Sequence, residues 1–281
     1  MTLFLAIAIW LGLWAVNAGL ARSPWHRTPW VRVSVPVLFG TAILILWQGL
    51  VIGLEVSPVI LPAPTAIGAR FAAETAMLWE DFRQTVLKGA ASGLLIGAAA
   101  AFGTAILIDR SRFLTRGLLP IGNFVAALPI VGIAPILVSW FGFDWQSKAA
   151  VVVVMVFFPM LVNSVQGLQE ASVMQRDLMR TYAAGYWQTL VKLRLPAALP
   201  FIFNGLKIST TLALIGAIVA EYFGSPTRGM GFRISTGVGT LSIDLVWAEI
   251  AVAALTGSVA YGLVSYLERR LTFWHPSQRQ D

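Results

Sequence analysis

The stretch DLMRTYAAGYWQTLVKLRLPAALP, residues 177–200, decides the fold. It is polar and basic, carrying Arg180, Lys192 and Arg194, and it lies between two long apolar runs, 148–166 and 201–222. An apolar run of about 20 residues is long enough to cross a bilayer, so the stretch is a connector between two spans. A simple tether needs no pattern. This one holds an aromatic pair, Tyr186 and Trp187, then Leu195, Pro196 and Pro200. The spacing predicts a short helix, a bend and a second helix started by proline, with Asp177 near a helix start, where it suits the dipole. Two readings of the aromatic pair stay open here. The rings fill a pocket on a docked partner, or they belong to the aromatic belt at a membrane–water boundary.

Composition supports a membrane chain. The 281 residues are 57% hydrophobic and only 12% charged, against about 25% charged in soluble domains. The net charge of +7 does not point to nucleic acid, because most basic residues sit in short connectors between apolar runs. There is no Cys, hence no disulfide frame and no thiolate metal site. The two histidines, His26 and His275, lie far apart in the chain, each beside a Trp. No GxxxxGK[ST] loop occurs, so the chain is not expected to hydrolyse ATP, and no HExxH or GxSxG element suggests other hydrolysis.

Upstream of the connector, residues 1–20 and 33–54 form two spans. No Lys or Arg precedes the first apolar core, which argues for a true span with its N-terminus outside rather than a cleaved signal peptide; an uncleaved signal anchor would look similar. Pro58, Pro62 and Pro64 predict an extended crossing that ends at Thr65, a candidate N-cap. Residues 65–83, with Glu74, Glu80 and Asp81, predict an amphipathic helix on the outer surface. A third span, 85–108, carries Gly89, Gly93, Gly97 and Gly103, small residues that let helices touch in lipid. The connector DRSRFLTRG leads to a fourth span, 117–141, interrupted by Pro120, Pro129 and Pro135. Such breaks occur where backbone lines a cavity, which makes this span a candidate pathway wall or else a kinked structural helix. Downstream, 223–245 is a Gly-rich outer loop, 246–267 a seventh span, and ERRLTFWHPSQRQD a basic tail.

Charge counting orients this scheme. The proposed inner segments hold thirteen basic residues (Arg22, Arg27, Arg32, Arg110, Arg112, Arg116, Arg176, Arg180, Lys192, Arg194, Arg269, Arg270 and Arg279), whereas the outer loops hold four, Arg70, Arg83, Arg228 and Arg233. Short basic loops resist translocation. The connector 167–200 and the C-terminus therefore face the cytoplasm, and the N-terminus lies outside.

Ionisable residues at membrane depth are functional candidates. Glu221, Glu249 and Lys207 are such residues, although the two glutamates could also sit solvated at headgroup level. Asn163, Gln166 and Asn204 either line a path or form interhelical hydrogen bonds. The candidate pathway set is Pro129, Pro135, Asn163, Asn204 and Glu221.

The connector also resembles a loop of a known family, the permeases of ABC importers, in the nitrate/sulfonate/taurine branch of the binding-protein-dependent inner-membrane components. That family's loop reads EAA, three residues, Gly, nine residues, Ile, one residue, Leu-Pro. Setting Leu195 and Pro196 on its end places Leu193 at the Ile, Ala183 at the Gly, and Asp177, Leu178 and Met179 at the opening triplet. The chain departs from the pattern: Asp replaces Glu, the two alanines are absent and Gly185 lies two residues late. VILPAPTAIG (59–68), ALPIVGIAPILVSWFGFDWQSK (127–148) and RLPAALPFIFNGLKISTTLALIGAIVAEYFGS (194–225) resemble further parts of the family. The resemblance covers roughly 33–270, so residues 1–32 read as an extra N-terminal helix and linker and 271–281 as a cytoplasmic tail.

The resemblance implies an all-α, type I ABC-importer permease bundle of about seven transmembrane helices, a six-helix family core plus one. It implies a second permease subunit, identical or paralogous, two ATP-binding subunits that hold ATP and Mg, and a periplasmic or lipoprotein substrate-binding protein in a bacterial inner membrane. No cofactor or metal is then expected on this chain, no catalytic residue, and no nucleic-acid partner. The connector becomes the coupling helix, with Asp177, Met179, Arg180, Tyr182, Ala183, Ala184, Gly185, Tyr186, Trp187, Leu195 and Pro196 at the ATPase contact. Tyr182, Tyr186 and Trp187 are the expected anchors and Arg180 the rim. The Gly-rich loop and the Pro58–Pro64 segment would face the binding protein. LMRTYAAGYWQTL and the tail FWHPS look most like members that take up thiamine-precursor pyrimidines or riboflavin, with sulfonate, taurine or nitrate also open. Outside this family, a stand-alone secondary transporter would want an internal repeat and intramembrane charge pairs, and a membrane enzyme would want a catalytic cluster.

Overall fold

In the computed structural model, residues 2–24, 28–111, 117, 128–224 and 227–275 are described, and every element among them is helical. Among the described residues six helices are long and apolar enough to cross a membrane: Thr2–Arg22, Pro29–Gly53, Thr75–Asp109, Trp145–Gln169, Tyr186–Gly224 and Ile243–Leu271. Ile130–Phe141 is a shorter apolar helix and accounts for the second half of the expected fourth span. The first half, with Pro120, the connector residues Arg112 and Arg116, His26 and the end of the tail lie outside the described residues.

We number the elements α1 (Thr2–Arg22), α2 (Pro29–Gly53), α3 (Pro64–Ala73), α4 (Thr75–Phe82), α5 (Ala91–Asp109), α6 (Ile130–Phe141), α7 (Trp145–Gln169), α8 (Val173–Thr181), α9 (Tyr186–Thr189), α10 (Leu195–Gly224), α11 (Met230–Gly239) and α12 (Ile243–Leu271). Two π-helical segments, Arg83–Ala90 and Leu190–Arg194, join α4 to α5 and α9 to α10 without a break.

By contacts the chain divides into two units, Met1–Ala76 with Thr236–Ile250, and Met77–Ser235 with Ala251–Asp281. In the first, α1 and α2 form a close hairpin, in which a Cβ on Gly49 would collide with the Ala6 side chain. Pro64 occupies the first turn of α3, where its missing N–H does no harm. The N-cap is Ala63 rather than the expected Thr65. The Thr65 N–H donates to Gln48 Oε1 at 3.1 Å, and Gln48 Nε2 donates to the Thr65 hydroxyl at 2.9 Å. The proline segment before it turns at Ser57, whose carbonyl accepts from the Ile60 and Leu61 amides, so it is not the extended crossing that the prolines suggest.

The second unit is built on α5, α7 and α10. Ala101, Ala105 and Ile108 of α5, Leu161, Val165 and Leu168 of α7, and Leu190 and Ala198 make one buried cluster. Lipid supplies no hydrophobic drive between helices, so close packing through small residues must hold them. A Cβ on Gly93 would lie 2.5 Å from Val152 Cβ, and one on Gly167 would lie 2.8 Å from Phe201 Cβ. Gly97 faces the Val153 backbone and Gly89 faces Lys148 and Ala217, whereas Gly103 looks into open space.

Three local expectations are corrected. The amphipathic helix over 65–83 is split at Glu74, and its second half is the start of the third span. Of its acidic residues Asp81 is fully buried in contacts, which a sequence pattern alone reads as solvation, whereas Glu80 stays exposed. The Gly-rich segment 223–245 contains the helix α11, because Gly231 and Gly237 serve packing there. Pro196 does not start or break a helix: the chain is helical from Tyr186 to Gly224, and the i→i+5 turn at Leu190–Arg194 precedes the proline.

Candidate functional site

The connector opens with Ser172. Its hydroxyl accepts from the Gln175 N–H at 3.2 Å, and the Gln175 side chain accepts from the Ser172 N–H at 2.9 Å. This capping box starts α8, so Asp177 lies in mid-helix rather than at the start, paired with exposed Arg180 at 3.0 Å. The helix stops in a Schellman turn: the Ala183 N–H donates to Arg180 O and the Ala184 N–H to Met179 O. Ala183 sits at φ 52°, a conformation that glycine adopts without penalty. This is the position where the family pattern has Gly. Gly185 then begins α9, with its N–H held by the Gln188 side chain.

Met174, Leu178 and Tyr182 fall four residues apart on one face of this turn of chain, and they are 82%, 56% and 77% exposed. Trp187 is also exposed. Tyr186 is not. Its ring packs on the buried cluster and its hydroxyl donates to Asp109 Oδ2 at 3.0 Å. Arg110 lies over both rings, 4.5 Å from the Tyr186 centroid and 5.1 Å from that of Trp187. Tyr186 therefore faces inward, whereas Tyr182 and Trp187 are exposed.

Beneath α9 the guanidinium of Arg194 is used three ways. Nε donates to Leu168 O at 2.9 Å, and the two terminal nitrogens donate to Asp109 Oδ2 at 2.7 Å and Oδ1 at 2.5 Å. Both side chains are nearly buried. Asp109 escaped the sequence reading. The only signal was a lone acid opening the basic connector DRSRFLTRG.

The opposite end of the second unit holds a second polar cluster. Glu221 is fully buried. Its Oε2 accepts from the Thr85 hydroxyl at 2.6 Å and the Gly231 N–H at 3.1 Å, while the same Thr85 oxygen accepts from the Met230 N–H at 2.8 Å. Buried Asp81 accepts from the Gly229 N–H at 2.7 Å and from Arg233 Nε at 2.9 Å. Two side chains on α4 and its π extension and one on α10 thus clamp the backbone 229–231. Gly229 takes φ +114°, and a Cβ there would meet the Glu221 carboxylate. Lys148 Nζ donates to Gly224 O at 2.8 Å and to Phe143 O, stopping the end of α10.

The family model described as "Binding-protein-dependent transport system inner membrane component" matches residues 93–273. The chain belongs to that family. Among the permease's relatives, a probable ABC transporter permease protein of Haemophilus influenzae is 31% identical, over 85% of this chain and 97% of its own. The riboflavin transport system permease protein RibX of Chloroflexus aurantiacus is 29% identical over 90% and 94%. The formylaminopyrimidine transport permease protein ThiX of Halalkalibacterium halodurans is 30% identical over 86% and 96%. The permease is thus a multi-pass membrane component of binding-protein-dependent ABC transport.

The residues singled out for its pathway do not form one cluster. Asn204 Nδ2 donates to Asn163 Oδ1 at 2.9 Å, and Asn163 Nδ2 donates to Pro159 O at 2.8 Å. Glu221 lies seventeen residues along the same helix from Asn204, about 25 Å away at the α-helical rise. Pro129 caps α6 and Pro135 lies inside it. A cavity of about 280 Å³, lined by Ile130, Ile133, Val154, Met155, Pro159 and Leu212 among others, lies alongside. Lys207 pairs with Glu268 at 2.8 Å, and Glu249 is fully buried.

Proposed function

We propose that the permease is the membrane subunit of an ATP-driven importer and that segment 172–187 is its coupling helix, seated in the cytosol on an ATP-hydrolysing subunit. The carrying observation is the exposed apolar stripe Met174, Leu178 and Tyr182, with Trp187 beside it. These are large side chains left out of every buried cluster, on a segment that is tied to the bundle through Tyr186 and Asp109. Docking energy concentrates in such anchors. The excess of basic residues in the inner connectors supports this orientation, with the C-terminus in the cytosol and the N-terminus outside. Closure of the ATPase pair, holding ATP and Mg, would draw on the coupling helices of two permease copies or paralogues and turn the pathway from inward-facing to outward-facing. The loop clamped by Glu221 and Asp81 would present the outer surface to the binding protein.

The substrate fitting best is a small heteroaromatic solute of the thiamine-pyrimidine or riboflavin kind, on the similarity to permeases so named. A sulfonate is the second reading, because a putative aliphatic sulfonates transport permease of Bacillus subtilis is 31% identical over 86% of this chain. A stand-alone transporter is disfavoured by membership of a family defined by dependence on a binding protein.

The test is capture of the ATPase subunit encoded with this permease. Tyr182→Ala combined with Trp187→Ala should weaken capture by about tenfold or more, as loss of interface anchors does. Unchanged affinity, with the membrane bundle intact, refutes the docking assignment.

A further inference from the structure

We propose that Asp109 and Arg194 form a positioning joint that carries movement of the coupling helix into α5 and α7. The inference rests on the coupling reading above, and the test below separates the two.

The joint gathers two helix ends. Asp109 is the last residue of α5, and Leu168 lies in the last turn of α7. The final carbonyls of a helix lack intrahelical partners and carry partial negative charge. A carboxylate at the end of α5 adds to that charge. One cation placed between the two ends answers both, and Arg194 is that cation. Its Nε takes the Leu168 carbonyl while its fork takes both Asp109 oxygens. Asp109 Oδ2 also accepts from Tyr186.

Tyr186 and Arg194 are therefore two grips on one carboxylate from one helix. Eight residues apart on a regular α-helix, they would point about 80° from each other. The π segment Leu190–Arg194 lies between them. Its i→i+5 turn advances less per residue and brings both side chains to the same face. The segment that carries the exposed Trp187 is thus fixed at two points to the end of α5 and at one to the end of α7. A pull on Trp187 cannot displace α9 alone without breaking a nearly buried, charge-assisted pair. Separating the partners of a nearly buried pair is strongly unfavourable, so the three ends are expected to move together.

A lysine in place of Arg194 would keep the charge but lose the planar fork. Simple charge neutralisation predicts that lysine suffices, whereas a positioning joint predicts that it does not.

The experiment uses the complete transporter, with its ATPase subunits and binding protein, in lipid discs. Asp109→Asn, Arg194→Lys and the mild variant Tyr186→Phe are compared with the parent, and Tyr182→Ala/Trp187→Ala runs in parallel. Two quantities are read: affinity for the ATPase subunit, and the ratio of binding-protein-stimulated to basal ATP hydrolysis. We expect Asp109→Asn and Arg194→Lys to bind the ATPase subunit with parental affinity and to lose about tenfold in the stimulation ratio, within the usual range of coupling energies. Tyr186→Phe should lose a smaller part. A parental stimulation ratio in Arg194→Lys or Asp109→Asn overturns the joint. So does a fall in stimulation that merely follows lost ATPase binding. If the two charged-pair variants do not assemble, a parental ratio in Tyr186→Phe overturns it and a reduced ratio with parental affinity upholds it. Failure of the docking reading shows separately, as parental affinity in the Tyr182→Ala/Trp187→Ala variant.

Discussion

Gly231→Ala is the sharpest test of the clamp at the Glu221 end. A Cβ at that position would lie 2.0 Å from the Ile218 carbonyl oxygen and 2.8 Å from both Glu221 Cβ and the Tyr222 nitrogen. The first and last of these are backbone atoms of α10 and cannot swing aside. The start of α11 must retreat by about 1 Å to restore even a tight contact. The Gly231 N–H is 3.1 Å from Glu221 Oε2, so that retreat stretches it beyond hydrogen-bond range. Losing a buried hydrogen bond costs about 1 kcal/mol or more, and overpacking adds about 1–3 kcal/mol. The combined loss is about 3 kcal/mol, which at roughly 2–4 °C per kcal/mol lowers the apparent Tm by about 6–12 °C. Gly239, at the far end of the same helix, has nothing within 4 Å of its Cβ position. Gly239→Ala should stay within about 0.5 kcal/mol of the parent. Thermal denaturation of the detergent-solubilised permease, followed by fluorescence of its tryptophans, compares the two. If the variants melt within about 2 °C of each other, the close approach at 229–231 is not what holds the loop, and the reasoning fails.

Two further outcomes follow from particular residues. Ala183→Gly relieves a Cβ in the left-handed region, worth about 1–2 kcal/mol, against about 0.5–1 kcal/mol of added freedom in the unfolded chain. It should raise the apparent Tm by about 1–4 °C and slow amide exchange over 173–184, and a lower Tm would refute the strain. For the substrate, the cognate binding protein should be stabilised by formylaminopyrimidine or riboflavin, by about 2.7 kcal/mol at a hundredfold excess over Kd, in a thermal-shift screen that includes alkanesulfonates. A response to sulfonates alone would overturn the heteroaromatic reading.

Much of the architecture was legible without coordinates. Long apolar runs, small residues along the third span and a basic connector are one-dimensional patterns, and bilayer thickness converts them directly into helices. The capping box Ser172–Gln175 was equally readable, although it lies five residues upstream of the position that matches the EAA triplet. Reading proline as a bend and a fresh helix start failed at Pro196. That rule assumes a regular i→i+4 ladder, and a π turn with tertiary packing accommodates the ring. Reading Gly-rich sequence as loop failed at α11. There Gly231 and Gly237 answer to neighbours that approach too closely for any side chain, a demand that composition does not register.

What the amino-acid sequence determined by itself is the membrane-spanning class, the apolar helices and the place of the polar connector, because the bilayer and local hydrogen bonding act along the chain. What only the tertiary structure decided is which polar residues meet. Asp109 finds Arg194 across 85 residues, and Thr85 finds Glu221 across 136. Burial makes each of these pairings obligatory, yet their partners are chosen by helix packing at both ends of the bundle, at distances where no local pattern survives.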